Sequence, residues 1–304
     1  MNRRRFLALS AVAASAAKVG AQAVAPPKPL LTFGLITDVQ YADADPNGER
    51  HYRESVGKLK TAVDWLAKQE LPFTLHLGDF IDRDFKSFDT MLPLLGGLGH
   101  PVRHLLGNHD YDVADGEKGL VTAKLGMPGD TYSFVSSGVR FVMLDTNDVS
   151  VYKHPEGSPE DKAAEVTLAK LEAEKVPGAK KWNGGLSEKQ LAWLDGELTA
   201  ADKAGEPVIL CGHHPLLPSE MHQAWNADEV TAVIDRHPCI RAYFNGHNHA
   251  GVDVMRKGVP YITFKSVLHE PGVNSYSVIR LFADRLEIVG NGREQPRVVA
   301  LVRA

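Results

Sequence analysis

The chain of 304 residues carries 34 basic and 38 acidic side chains, a net charge of −4. That balance excludes a duplex nucleic-acid binder, which needs a basic face to meet phosphates, and leaves small phosphorylated ligands open. The length suits one large domain or two small ones with ample chain to bury a core. The two cysteines, Cys211 and Cys239, sit in apolar runs; they read as buried core residues and lack the spacing of a zinc motif.

At the start, Arg3-Arg4-Arg5-Phe6-Leu7 precedes an alanine-rich apolar run to Ala17, and Ala21-Gln22-Ala23 offers small residues for cleavage. This is similar to a twin-arginine export signal with Arg3-Arg4 as the pair. The apolar run is too short to span a bilayer. The expectation is a signal over 1–23 that is read by the twin-arginine export machinery and removed, leaving no stable membrane span. A proline-rich linker over 24–30 and a single domain over 31–304 follow, and the location is periplasmic or secreted. Loss of the signal leaves 30 basic against 38 acidic residues.

Strand one is expected from Leu31 to Thr37, followed by a polar loop over Tyr41 to Arg50. His51 to Gln69 is helical, because Val56, Leu59, Ala62, Val63 and Leu66 recur at helical spacing. A strand from Phe73 to Leu77, a helix from Phe85 to Leu98 and a strand from Val102 to Leu106 come next. Tyr132–Val135 and Val139–Leu144 flank Ser136-Ser137-Gly138 as a hairpin. A charged helix over Ser158 to Lys175 is expected at the rim, and an amphipathic helix over Ser187 to Ala204 with a loose capping box at Ser187. Strands at Val208–Cys211 and Ile240–Phe244 bracket a short helix over Ala227 to Arg236. Tyr261–Phe264, Tyr276–Phe282 and Leu286–Val289 read as an antiparallel meander. The fold class is α/β, with two sheets face to face and helices outside.

Five of the apolar strands end in metal-ligand chemistry: Asp38-Val39-Gln40, Gly78-Asp79, Gly107-Asn108-His109-Asp110, Gly212-His213-His214 and Gly246-His247-Asn248-His249. Strand carboxyl ends are where α/β sheets build sites. Asp38, Gln40, Asp79, Asn108, His213, His247 and His249 supply eight ligands if Asp79 is used twice, which suits two cations bridged by one carboxylate. Hard oxygen plus imidazole, with no thiolate, favours Mn²⁺, Fe or Zn²⁺ in a reactive site over a structural zinc. His76, His100, His104 and His237 fit no ligand block and read as packing or surface histidines. His214, Asp110 and Asp145 read as supports for the loops.

Taken together, Asp38-x-Gln40, Gly78-Asp79-x-x-Asp82, Gly107-Asn108-His109-Asp110, Gly212-His213 and Gly246-His247-x-His249 resemble, in order, the five blocks of the calcineurin-like metallophosphoesterases. The resemblance implies a four-layer α-β-β-α sandwich. It also implies one metal on Asp38, Gln40, Asp79 and His249, and a second on Asp79, Asn108, His213 and His247. His109 is then expected beside the leaving group, oriented by Asp82. The first block usually reads Asp-x-His, and Gln40 replaces that histidine with a neutral, weaker oxygen donor. This is similar to the manganese-dependent ADP-ribose/CDP-alcohol diphosphatase branch, which reads Asp-x-Gln-Tyr. Tyr52-Arg53-x-Ser55, Asn183-Gly184-Gly185-Leu186-Ser187 and Ala224-Trp225-Asn226 are similar to that branch as well.

The resulting expectation is an exported phosphohydrolase with two divalent ions, Mn²⁺ favoured. It acts on the pyrophosphate or phosphodiester bond of a nucleotide such as ADP-ribose or a CDP-alcohol. Tyr41, Arg53 and Trp225 are candidate substrate contacts. Two alternatives stand beside this: a broad phosphomonoesterase or cyclic-nucleotide phosphodiesterase on the same metal core, and an exported nucleotide- or metal-binding protein without turnover. Retained His109 and Asp82 speak against the last, since binding needs neither.

Overall fold

The structure is a computed structural model that describes residues 27–302. The expected signal over 1–23, and the first three residues of the linker, lie outside them. In chain order the elements are β1 Leu31–Ile36, α1 Ser55–Leu66, β2 Thr74–Leu77, α2 Ser87–Leu95, β3 Val102–Leu105, and the short α3 Asp115–Lys118 and α4 Val121–Lys124. Then come β4 Tyr132–Ser136, β5 Val139–Met143, α5 Pro159–Ala173, α6 Glu188–Ala204, β6 Val208–Cys211, α7 Ala227–Arg236 and β7 Ile240–Asn245. The chain continues through β8 Val252–Arg256, β9 Val259–Thr263, β10 Ser275–Leu281, β11 Arg285–Gly292 and β12 Arg297–Ala300. Among the described residues no helix is long and apolar enough to cross a membrane.

The strands form two six-stranded sheets, ordered β12-β11-β10-β1-β2-β3 and β4-β5-β6-β7-β9-β8. Each has a parallel part carrying the site: β1-β2-β3 at one end of the first sheet, with β3 at its edge, and β5-β6-β7-β9 in the middle of the second. Alternation along β1 shows why the sheets stack. Phe33 and Leu35 enter the core between the sheets, with Leu75, Phe141, Ile209 and Phe244, whereas Ile36 faces the opposite side. Phe33 meets Phe141 of the other sheet edge-on, with ring centroids 5.3 Å apart. On the outer face of the first sheet, Leu59, Ala62, Val63 and Leu66 of α1 pack with Phe88 and Met91 of α2. On the outer face of the second, Leu194 and Leu198 of α6 pack with Val230 and Ile234 of α7. The order helix, sheet, sheet, helix is the expected four-layer sandwich.

Two expectations change in detail, and two strands come without an expectation. The strand around Tyr261 is not part of a meander with β10 and β11: β9 lies in the second sheet beside β7, and the meander in the first sheet is β10-β11-β12. Sequence alternation sets which face of a strand is apolar but not which sheet receives it. The capping box at Ser187 is half formed. Its hydroxyl accepts from Gln190 N at 3.2 Å, while the Gln190 side chain turns to Asp145 and Asp148. The strands β8 and β12, short and half-buried along the sheet edges, had no clear sequence signal. The helix α5 does lie at the rim, burying Ala164 and Leu168 in a small cluster with Trp225. Both cysteines are buried and unbridged.

Candidate metal centre and active-site cleft

β1 delivers Asp38 and Gln40, β2 delivers Asp79 and β3 delivers Asn108; from the facing sheet β6 delivers His213 and β7 delivers His247 and His249. Each sits just past the carboxyl end of its strand, where the chain must bend sharply to turn a side chain into the crevice. Asp38, Gln40, Asp79 and His247 all have left-handed backbone, with φ of 51°, 43°, 57° and 67°. For non-glycine residues this costs about 1–3 kcal/mol each and persists only when the surroundings enforce it. The enforcement is visible. Asp38 N donates to Gly78 O at 3.0 Å, Gln40 N to Asp79 O at 2.9 Å, and Leu268 N to Asp38 O at 3.1 Å. The buried Asp110 carboxylate gathers four backbone N–H groups, from Asp79 and Gly107 at 2.9 Å, Phe80 at 2.8 Å and Ile81 at 3.2 Å. Close approach also requires two glycines: a Cβ on Gly107 would run into the Asp79 carboxylate, and one on Gly246 into Thr37 and Asp38.

All seven predicted ligands converge. Asp79, His213 and His247 offer ligand atoms within 4.8 Å of one another, as do Asp38, Asp79 and His249, so the two groups share Asp79. Asp79 Oδ2 lies 3.3 Å from His213 Nε2 and accepts from Gln40 Nε2 at 2.6 Å. His249 Nε2 is 3.4 Å from Asp38 Oδ1 and 3.3 Å from Gln40 Nε2. Gln40 Oε1 and Asn108 Oδ1 are buried without a hydrogen-bond partner. A buried acceptor left without a partner costs about 1–3 kcal/mol. Asn108 Oδ1 is thus left free to meet a cation, and Gln40, whose Nε2 faces Asp79 and His249, presents Oε1 to a cation there when its amide is turned over.

The groups behind the ligands fix their orientation. His213 Nδ1 faces Leu77 O at 2.8 Å, leaving Nε2 toward Asp79. His247 Nε2 faces Asn183 Oδ1 at 2.8 Å, leaving Nδ1 3.2 Å from His213 Nε2. The Asn183 amide is itself fixed, because its Nδ2 donates to Gly178 O at 2.9 Å and Met221 O at 2.8 Å. Burial works against the charge of Asp79, yet the imidazoles of His213 and His109 outweigh it and hold the carboxyl well below its usual range. Burial likewise opposes protonation of His213, but Asp79 raises it to about 9. Burial, with His214 and His213 alongside, holds His247 well below the usual range and neutral.

His109 Nδ1 lies 3.1 Å from Asp82 Oδ1, which fixes the ring. Burial opposes its charge, but Asp79 and Asp82 raise its pKa above the ordinary value. The ring borders two adjoining clefts of about 590 and 740 Å³, both also lined by Asn108 and Trp182. The three candidate substrate contacts are elsewhere. Arg53 is half exposed and tied to Asp43 at 2.5 Å and Asp45 at 2.6 Å. Trp225 is buried, with its indole N–H on Lys180 O at 3.1 Å. Tyr41 packs into the apolar layer under α1, and only its backbone serves the site, accepting from Asp82 N at 2.8 Å. In their place Arg50, Trp182, His222 and His269 line the cleft. Asn183 was visible in the sequence only as part of a motif, without a role. His76 and His104 pair with each other at 3.2 Å, and His237 with Asp202 at 2.6 Å; none of the three lines the cleft. His214 sits behind it on Thr146 at 2.8 Å.

Two facing sheets whose strand ends place oxygen and imidazole donors around a shared carboxylate define a dinuclear metallophosphoesterase. The model of the calcineurin-like phosphoesterase family matches residues 31–251. Proteins of Oryza sativa and Arabidopsis thaliana named manganese-dependent ADP-ribose/CDP-alcohol diphosphatase are 32% and 33% identical. The alignments cover 88% of this chain in both cases, and 92% and 96% of theirs. The crystal structure of a dimetal phosphatase from Danio rerio superposes with a TM-score of 0.81 at 28% identity, covering 90% of this chain and all of that one. The chain belongs to the calcineurin-like phosphoesterase family, and within it resembles the manganese-dependent ADP-ribose/CDP-alcohol diphosphatases. It is a metal-dependent phosphoester hydrolase.

Proposed function

We propose that the protein hydrolyses the pyrophosphate bond of a nucleotide such as ADP-ribose or a CDP-alcohol, with Mn²⁺ as the working ion. The observation that carries this reading is Gln40. It stands where the family's first block has histidine; its side-chain amide meets Asp79 and His249, and its Oε1 is buried without a hydrogen-bond partner. Similarity to the diphosphatases over 88% of the chain supports the same substrate class.

When bound, two divalent ions neutralise phosphoryl oxygens and lower the pKa of water. Asp79 joins the two ligand groups, and Asp38, Gln40, Asn108 and the three histidines complete them. Asp82 keeps His109 turned so that Nε2 faces the cleft, where it supplies a proton to the departing oxygen. Thr37 Oγ1 donates to Asp38 Oδ2 at 2.6 Å, which leaves Asp38 Oδ1 toward His249.

The deciding experiment is a panel of ADP-ribose, CDP-choline, ADP, cyclic AMP and p-nitrophenyl phosphate with Mn²⁺, Mg²⁺ and Zn²⁺. The two diphosphates with Mn²⁺ should be turned over best; preference for cyclic AMP or the monoester would overturn the reading. The proposal includes export through the twin-arginine machinery, cleavage after residue 23, and residues 31–304 as one mature domain. Replacing Arg3-Arg4 by Lys-Lys should abolish periplasmic accumulation; unchanged accumulation would refute that route.

A further inference from the structure

The segment between β1 and α1 holds two arginines three positions apart, Arg50 at the end of the polar loop and Arg53 in the 3₁₀ turn Tyr52–Glu54. Arg53 is neutralised outside the cleft by Asp43 and Asp45. Arg50 points inward, with Nη1 3.3 Å from His109 Nε2, and it is the one Arg or Lys among the described residues lining the metal cleft. Its sequence neighbour Glu49, which lines the same cleft, pairs with His269 at 3.4 Å, and the guanidinium has no ion-pair partner among the described residues. Its backbone is fixed on both sides: Arg50 and Asn47 exchange hydrogen bonds of 3.0 and 3.1 Å, and Arg50 bridges to His269 of the loop before β10. A guanidinium is always charged and is shaped to grip phosphate through two N–H groups. Held in place without an anion of its own, it fits an anion that arrives with the substrate.

We propose that Arg50 makes the site selective for diphosphates by gripping the phosphate that leaves. The inference rests on the pyrophosphate reading above and assigns the residue behind it. Without substrate, His109 Nε2 accepts from Arg50 Nη1; a phosphate that draws the guanidinium to itself frees Nε2 to take up a proton and give it to the bridging oxygen, and it places the cation on the departing side of the attacked phosphorus. A departing alcohol or phenol has no anionic oxygens there, whereas a departing phosphomonoester does. Water adds across the bond. Its oxygen bonds to one phosphorus, and the bond from that phosphorus to the bridging oxygen breaks with the electron pair left on oxygen. The proton from His109 goes to that oxygen. One water proton restores His109 and the other stays with the new phosphomonoester.

The test compares wild type, Arg50→Ala, Arg50→Lys and the surface control Arg53→Gln, all loaded with Mn²⁺. The substrates are ADP-ribose, CDP-choline and the p-nitrophenyl ester of thymidine 5′-phosphate, whose leaving phenol carries no phosphate. Arg50→Ala should lose about 10–100-fold in kcat/KM on both diphosphates, the worth of a charged hydrogen bond, and at least tenfold less on the nitrophenyl ester. Arg50→Lys should recover part of the loss, and Arg53→Gln should match wild type. An equal loss on all three substrates, or none, overturns the assignment of Arg50 alone. A wild type that cleaves the nitrophenyl ester but neither diphosphate overturns the pyrophosphate reading and the Arg50 proposal with it.

Discussion

The backbone N–H of His109 donates to Asp79 Oδ1 at 2.8 Å. The carboxylate shared by both ligand groups therefore also sets the position of the residue that meets the leaving group. Its other oxygen, Oδ2, receives Gln40 and faces His213. One side chain thus ties the metal centre to the proton donor, and displacing it should disturb binding and proton transfer together.

Asp79→Asn should abolish turnover and lower bound metal. An amide keeps one acceptor oxygen for His109 N, so the loop is retained, but a neutral group does not bridge two cations as a carboxylate does. Metal analysis of the purified variant checks this; an unchanged content of two ions per chain would contradict the shared role of Asp79.

His109→Ala should keep both metals and slow turnover by about 10²–10⁴, the usual contribution of a positioned acid. The loss should shrink with substrates whose leaving groups are acidic enough to depart without a proton. A series of aryl phosphate esters measures this directly. A loss that stays constant across the series, or is accompanied by loss of metal, would exclude proton donation.

Gln40→His should tighten metal binding and shift the preference from Mn²⁺ toward Zn²⁺ or Fe, since imidazole is the donor those ions favour. Titration of both proteins with each ion, reading activity and bound metal together, is the check. If wild type keeps two zinc ions through long dialysis and gains nothing from Mn²⁺, the argument from Gln40 fails.

Asp110→Ala should destabilise the fold by about 3 kcal/mol or more, because four backbone N–H groups lose a buried acceptor and each lost partner is worth about 1–3 kcal/mol. Urea denaturation of the metal-free proteins measures it. A change below about 1 kcal/mol would show that water replaces the carboxylate without cost.

The ligands were legible because each is written next to the strand that carries it: an apolar run, a glycine and a donor are local features. The cleft lining was not. Arg50 and Arg53 lie three positions apart in one polar segment, and the choice between them depends on a bridge from Arg50 to His269, far along the chain. Trp182 and Trp225 look alike in sequence. Packing against α5 buries the second and leaves the first 43% exposed beside the cleft. The assignment of β9 to the second sheet failed for the same reason, since nothing within a strand specifies its partner.

The strand that carries Asp38 and Gln40 is paired on one side with β2 and on the other with β10. Leu268 N, just upstream of β10, holds the Asp38 carbonyl. A chain still being synthesised has its first two ligands on a bare sheet edge until these late residues arrive. Ion capture should therefore wait until β10 has paired with β1. A truncation that removes only β10 to β12, and none of the seven ligands, should leave a protein unable to retain its ions.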